Sequence, residues 1–124
     1  MQLMAHLGFN GQAEEAMNFY IKALGGKFEG EMFRNPENPD RILHCMAKFD
    51  NFSILATDSK DIDQSPGNID LHLFFNDIVE AKSKYDIFAQ IGQVDYPFEA
   101  QPWGDYFGRV IDPWGIPWCF TVEG

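Results

Sequence analysis

The sequence predicts an α+β protein built from two βαβββ halves, and three observations carry that reading. An order of strand, helix and three extended segments runs through the first half of the chain and restarts at Ile69. The opening strands of the two halves nearly repeat: His6-Leu7-Gly8-Phe9-Asn10 and His72-Leu73-Phe74-Phe75-Asn76 agree at four of five positions. Behind them, Glu15-Ala16 with Tyr20 recurs as Glu80-Ala81 with Tyr85, after a one-residue slip in the turn between strand and helix. A self-match that coincides with a repeated element order reads as an internal duplication.

Residues 2–9 alternate in strand fashion, with Leu3, Ala5, Leu7 and Phe9 on one face and Met4, His6 and Gly8 on the other. Asn10-Gly11 breaks the strand, and the period changes. Ala13, Ala16, Met17, Tyr20 and Leu24 recur at helical spacing, Glu14 and Glu15 suit the positive end of the helix dipole, and Gly25-Gly26 ends the run. Three extended pieces follow, at Lys27–Arg34, Ile42–Phe49 and Phe52–Thr57, with a polar loop at Asn35–Asp40 and a turn at Asp50-Asn51. The polar stretch Asp58–Asn68 reads as the linker, so the first module spans about 1–60 and the second about 66–124 of one domain. In the second module Ile69–Phe75 alternates, and a helix over about Ile78–Ala89 turns Ala81, Tyr85 and Phe88 inward. Extended segments near Ile91–Glu99, Tyr106–Ile111 and Ile116–Val122 complete it. Leu7, Phe9, Leu73 and Phe75 are expected under the helices, which turns His6 and His72 to the opposite faces, towards a shared cup.

A chain of 124 residues, 45% hydrophobic and 15% aromatic, can bury a core without disulfide or metal staples. Its net charge of −10, with nine Lys and Arg and no basic cluster, offers nothing to neutralise phosphates. Nucleic acid and an anionic membrane surface are therefore not expected partners. Cys45 and Cys119 are far apart and show no metal-binding spacing. No signal sequence is visible and no window approaches the roughly 20 apolar residues of a membrane span, so a cytoplasmic protein with reduced thiols is expected.

The opening GFNGQAEEAMNFYIKALGG and above all the closing PWGDYFGRVIDPWGIPWCF resemble the PhnB-like branch of the vicinal oxygen chelate superfamily. That superfamily also holds glyoxalase I, extradiol dioxygenases and bleomycin- or fosfomycin-resistance proteins. The resemblance covers essentially the whole chain. It implies paired βαβββ modules in a cup-shaped, barrel-like sheet, a homodimer and a small-molecule site, but no single reaction. Metal-using members place ligands on the first and fifth strands and carboxylates on the fourth and eighth. Carried over, the first two slots fall on His6 and His72 and the last on Cys119, whose strand face also holds Pro117 and Thr121. An alignment without the one-residue slip puts Ala5 and Asp70 in those slots instead. Two imidazoles and a thiol would suit Zn²⁺ better than an Fe²⁺ oxygenase centre, which relies on a carboxylate. The divalent candidates are Zn, Ni, Mn or Fe.

Two functions follow. One is a small-molecule binder whose aromatic cup is lined by His6, His44, His72, Phe74, Trp103 and Cys119, in one variant an antibiotic-sequestering resistance protein. The other is a divalent-metal lyase of the glyoxalase type using His6 and His72. His44 and Cys45 are neighbours, so on a strand they point to opposite faces and cannot form a nucleophile pair. Asp112 in Asp112-Pro113-Trp114-Gly115 reads as the structural residue of a type I turn. Asp105 and Arg109, four apart, read as a surface ion pair, and Glu14, Glu15 and Glu80 as solvated first-turn residues. No GxSxG nucleophile elbow occurs.

Overall fold

In a computed structural model, which describes residues 1–58 and 69–124, the chain forms two compact units, Met1–Asp63 and Gln64–Gly124. The first contains β1 (Ala5–Phe9), α1 (Ala13–Leu24), β2 (Lys27–Phe28), β3 (Phe33–Asn35), β4 (Asn38–Lys48) and β5 (Ser53–Asp58). The second contains β6 (Leu71–Phe75), α2 (Ile78–Ile91), β7 (Gln93–Ala100), β8 (Tyr106–Ile111) and β9 (Pro117–Val122). Its four-stranded sheet runs β6-β9-β8-β7, and the first unit's sheet runs β1-β5-β4-β2 with β3 also paired to β4. In each unit the first strand lies parallel to the last, and the remaining pairs are antiparallel. The duplicated α+β topology is therefore present in the fold itself.

Each sheet is covered on one face by its own helix. In the first unit Ala13, Ala16, Met17, Tyr20 and Ala23 form the buried stripe of α1, and Leu7, Phe9, Ile42, Cys45, Ala47, Ile54 and Ala56 are buried beneath it. Gly25, with φ of 78°, closes α1, and its N–H donates to the Ile21 carbonyl. In the second unit Ala81, Tyr85 and Phe88 are the buried residues of α2, as the helical period predicts. Phe88 sits 5.1 Å from Trp118 and 5.3 Å from Phe120, ring centre to ring centre, and Tyr85 meets Phe120 edge-on at 5.8 Å. Gly108 makes this packing possible: a Cβ there would lie 2.9 Å from Phe98 and from the Tyr85 ring.

Four expectations need correction. The first strand starts at Ala5, and Leu3, expected on its buried face, is 96% exposed. The Lys27–Arg34 segment is broken into β2 and β3, which pair with different stretches of β4. Most of the Asn35–Asp40 loop is strand, because β3 and β4 meet through a two-residue turn at Pro36-Glu37. Asp58, expected to open the linker, is the last residue of β5, and residues 59–68 of that linker lie outside the described residues. The Asp58 carboxylate accepts from Gly11 N (2.7 Å), Ala13 N (3.0 Å) and Ile42 N (2.8 Å). It thereby ties α1's N-terminus to the sheet in place of the cap that Gln12 does not supply.

Candidate functional site

The strand registers identify equivalent positions in the two units. His6 is opposite Leu55 and Leu55 opposite Met46; His72 is opposite Cys119 and Cys119 opposite Arg109. His6 and His72 thus occupy the same slot, Leu55 matches Cys119, and Met46 matches Arg109. One step along, Thr57 matches Thr121 and Gly8 matches Phe74. This register supports the alignment that pairs His6 with His72 over the one that pairs Ala5 with Asp70. Because side chains alternate, all these residues lie on the sheet face away from the helix.

The first unit's share of that face is spare. His6 is exposed among Met46 and Leu55, and His44 is exposed beside Phe33, its cross-strand partner, with ring centres 6.4 Å apart. Thr57 donates its hydroxyl to the Leu43 carbonyl at 2.9 Å. Cys45 points the other way, under α1, where burial pushes its thiol up to about 11. Sequence alternation separates His44 from Cys45 in the same manner.

The second unit's face carries the chemistry. Nε2 of His72 lies 2.6 Å from Thr121 Oγ1, and Thr121 is buried. The imidazole stacks on Phe74 at 4.3 Å and meets Phe107 edge-on at 6.0 Å, and Tyr96 extends the aromatic row to Phe107 at 5.9 Å. Phe74 remains 63% exposed, so the row presents an open aromatic surface. Burial lowers the His72 pKa, against a smaller opposing pull from Asp70, which favours the neutral ring. Beside it Arg109 is gripped by two carboxylates, donating to Asp70 at 2.9 Å and to Asp95. The guanidinium holds the Asp70 carboxyl below its ordinary range, and the two carboxylates raise the Arg109 pKa further still. Asp70 also accepts from the Cys119 thiol at 3.5 Å. Burial pushes that thiol up to about 11, so at neutral pH Cys119 is a protonated donor rather than a nucleophile.

Of the six predicted cup residues, the structure brings His72, Phe74 and Cys119 together on one face. His6 and His44 share the corresponding face of the first unit. Trp103 lies in the β7–β8 connection, 66% exposed, with no ring contact or hydrogen bond to His72 among the described residues. Alternation puts Thr121 on the Cys119 face, but its bond to His72 joins residues 49 apart and leaves no local signal. Phe107 follows the same period-two signal, whereas Tyr96 reaches that face through the register shifts that flank it in β7, which alternation alone does not give. The Asp105–Arg109 pair does not form: Arg109 takes Asp70 and Asp95, while Asp105 accepts from the Gly124 N–H at 3.1 Å. Glu14 is not merely solvated, since it holds Arg34 through two 2.8 Å bonds. A shallow pocket of about 420 Å³ lies at the β4–β5 turn, lined by Gln2 to Met4, Lys48 and Asp50 to Ser53. None of the six predicted residues lines it, and it has no ionisable pair comparable to the second face.

Among the described residues the second unit's polar groups are not arranged as a divalent-metal site. Nε2 of His72 is taken by Thr121, and Cys119 keeps its proton while bonded to Asp70. Among the described residues no three His, Cys, Asp or Glu side chains gather into a metal-holding group.

Residues 4–120 match the Glyoxalase/Bleomycin resistance protein/Dioxygenase superfamily, and the chain belongs to it. Within that superfamily its fold is the PhnB-like form. It is similar to the PhnB protein of Bacillus cereus, 24% identical, with a TM-score of 0.87 over 99% of this chain and 100% of that one. Protein PA1353 of Pseudomonas aeruginosa is 27% identical, with a TM-score of 0.87 over 99% and 98%. Protein YjdN of Escherichia coli K12 is 25% identical over 98% of this chain and 95% of its own length. No helix among the described residues is long and apolar enough to cross a membrane.

Proposed function

We propose that this protein binds a small organic molecule against the helix-free face of its second sheet and does so without turning it over. The observation that carries the reading is one surface with two characters: an exposed row of Phe74, His72, Phe107 and Tyr96 beside the Asp70–Arg109–Asp95 cluster. Such a face offers stacking to a flat ring and fixed polar groups to its substituents, the usual division of labour in ligand sites. Binding is favoured over catalysis by the state of its polar groups. Arg109 is doubly paired, Cys119 is a protonated donor, and His72 is bonded to Thr121, so among the described residues of this face no group stands poised with a displaced pKa and a free lone pair to move a proton. Sequestering of a ring-bearing antibiotic is one form such binding could take, and a homodimer is part of the same reading.

The test is a two-dimensional 1H–15N NMR titration with single-ring aromatic probes such as pyridine N-oxide and benzamide at millimolar concentration. Shifts should cluster on residues 70–75, 107–109 and 119–121 and weaken at least several-fold in Phe74→Ala, whose exposed side chain can be removed without emptying the core. Shifts confined to the pocket between Gln2 and Ser53, or none with any probe, would overturn the reading.

A further inference from the structure

We propose that Thr121 is a positioning residue that locks His72 as the Nδ1–H tautomer, so that the binding face presents a hydrogen-bond donor there and selects ligands carrying an acceptor. The inference rests on the binding role just proposed for this face.

The argument is one of hydrogen-bond accounting. A neutral imidazole has one nitrogen that donates and one that accepts, and the partner of either decides which is which. Thr121 Oγ1 is 2.6 Å from His72 Nε2, in a residue only 4% exposed. Among the described residues the hydroxyl has no other acceptor within hydrogen-bond reach, and no buried side-chain nitrogen or oxygen there is left without a partner. If Nε2 carried the proton, it would donate to Oγ1 and the hydroxyl proton would be stranded in a dry setting, a costly arrangement. If the hydroxyl donates to a bare Nε2, every buried group is satisfied. The ring proton must then sit on Nδ1, which has no partner among the described residues and belongs to an exposed residue.

The duplicated fold supplies an internal comparison. Thr57 occupies the matching slot of the first unit, and its hydroxyl is satisfied by the Leu43 carbonyl, so it does not engage His6, which has no hydrogen bond among the described residues. The threonine is shared between the units, but only in the second does its proton go to an imidazole. The ring is further fixed by stacking on Phe74 and by the edge of Phe107, so Nδ1–H is held in place as well as in tautomer.

Long-range 1H–15N correlation of the imidazole nitrogens, at a pH where the ring is neutral, reads the tautomer directly in the ligand-free protein. With three histidines in the chain, His72→Gln assigns the signals. The expected result is a dominant Nδ1–H form for His72 that is kept in Thr121→Ser and inverts towards Nε2–H in Thr121→Val. An Nε2–H ring in the native protein, or a Thr121→Val ring unchanged from it, overturns the assignment; if Thr121→Val does not fold, the native and Thr121→Ser spectra still decide. The ligand arm compares pyridine N-oxide, an acceptor without a donor, with pyrrole, a donor without an acceptor. Stronger perturbation of the His72 ring by the N-oxide supports the selectivity, and equal or stronger perturbation by pyrrole overturns it. Failure of both probes to touch this face while the Nδ1–H form holds counts against the binding role and the ligand selection, and leaves the tautomer lock standing.

Discussion

Asp112, 4% exposed, accepts from Trp114 N at 3.0 Å, Ile116 N at 2.9 Å and Trp118 Nε1 at 2.9 Å, while its carbonyl receives Gly115 N. The Asp-Pro-Trp-Gly pattern announced the turn, but the grip on the Trp118 indole is tertiary. Asp112→Ala strands three donors, and chemical denaturation should show a loss of about 3 kcal/mol, since each buried group left unpaired costs about 1–3 kcal/mol with partial relaxation. His72 and Asp70 both act in the acid limb of stability. Burial depresses the folded pKa of His72 below its ordinary 6.5, so its contribution is complete above that value and is lost as pH falls through the folded pKa. Arg109 depresses Asp70 below 3.8, and that contribution fades at still lower pH. Thermal melts of His72→Gln should therefore be flatter than those of the native protein between pH 7 and 5, with Asp70→Asn differing only in the more acidic range. A native curve that is already flat from pH 7 to 5 would count against a ring kept neutral by its surroundings. Arg109 shows why residue pairing is hard to read: its partners are 39 and 14 residues away, while the nearby Asp105 looks the natural choice.

The two helices solve the same capping problem differently. Asp77 accepts from Glu80 N at 2.8 Å, a local N-cap of α2 visible in the sequence once the helix start is known. Asp77→Ala should cost about 1 kcal/mol in a denaturant titration. For α1 the equivalent oxygens come from Asp58, 45 residues from Ala13, so no local pattern could reveal them. Asp58→Ala removes three bonds and should cost more than Asp77→Ala. Equal losses would mean that water replaces the remote cap. At the end of α2, Gly92 is needed for closeness rather than for a left-handed turn: its φ is −103°, and a Cβ would lie 2.6 Å from the Ile111 carbonyl. Helix period and strand alternation were legible because each rests on which side chains face the core. The break between β2 and β3 was not, because it depends on where β4 offers partners.

For the molecule as a whole, Phe33 and Leu43 of the first unit and Phe74 and Tyr96 of the second are large apolar side chains that each stay more than half exposed, and such surface marks interaction sites where it is contiguous. A homodimer is the expected state, and sedimentation at micromolar concentration checks it; a monomer would remove that part of the proposal. Chelation by EDTA should leave the melting temperature unchanged, given a His72 committed to Thr121 and a protonated Cys119. A Zn²⁺-dependent rise in melting temperature that disappears in His72→Ala would restore a metal role. The duplication, the helix-covered faces and the slots of His6 and His72 were all determined by the sequence, because they follow from local periodicity and from residues repeated in order. Only the tertiary structure decided what surrounds those slots: Thr121 on one imidazole, Asp70 shared by Arg109 and Cys119, and Trp103 apart from them. Those contacts join strands distant along the chain, and a hydrogen bond between strands depends on register and rotamer, which no single segment encodes.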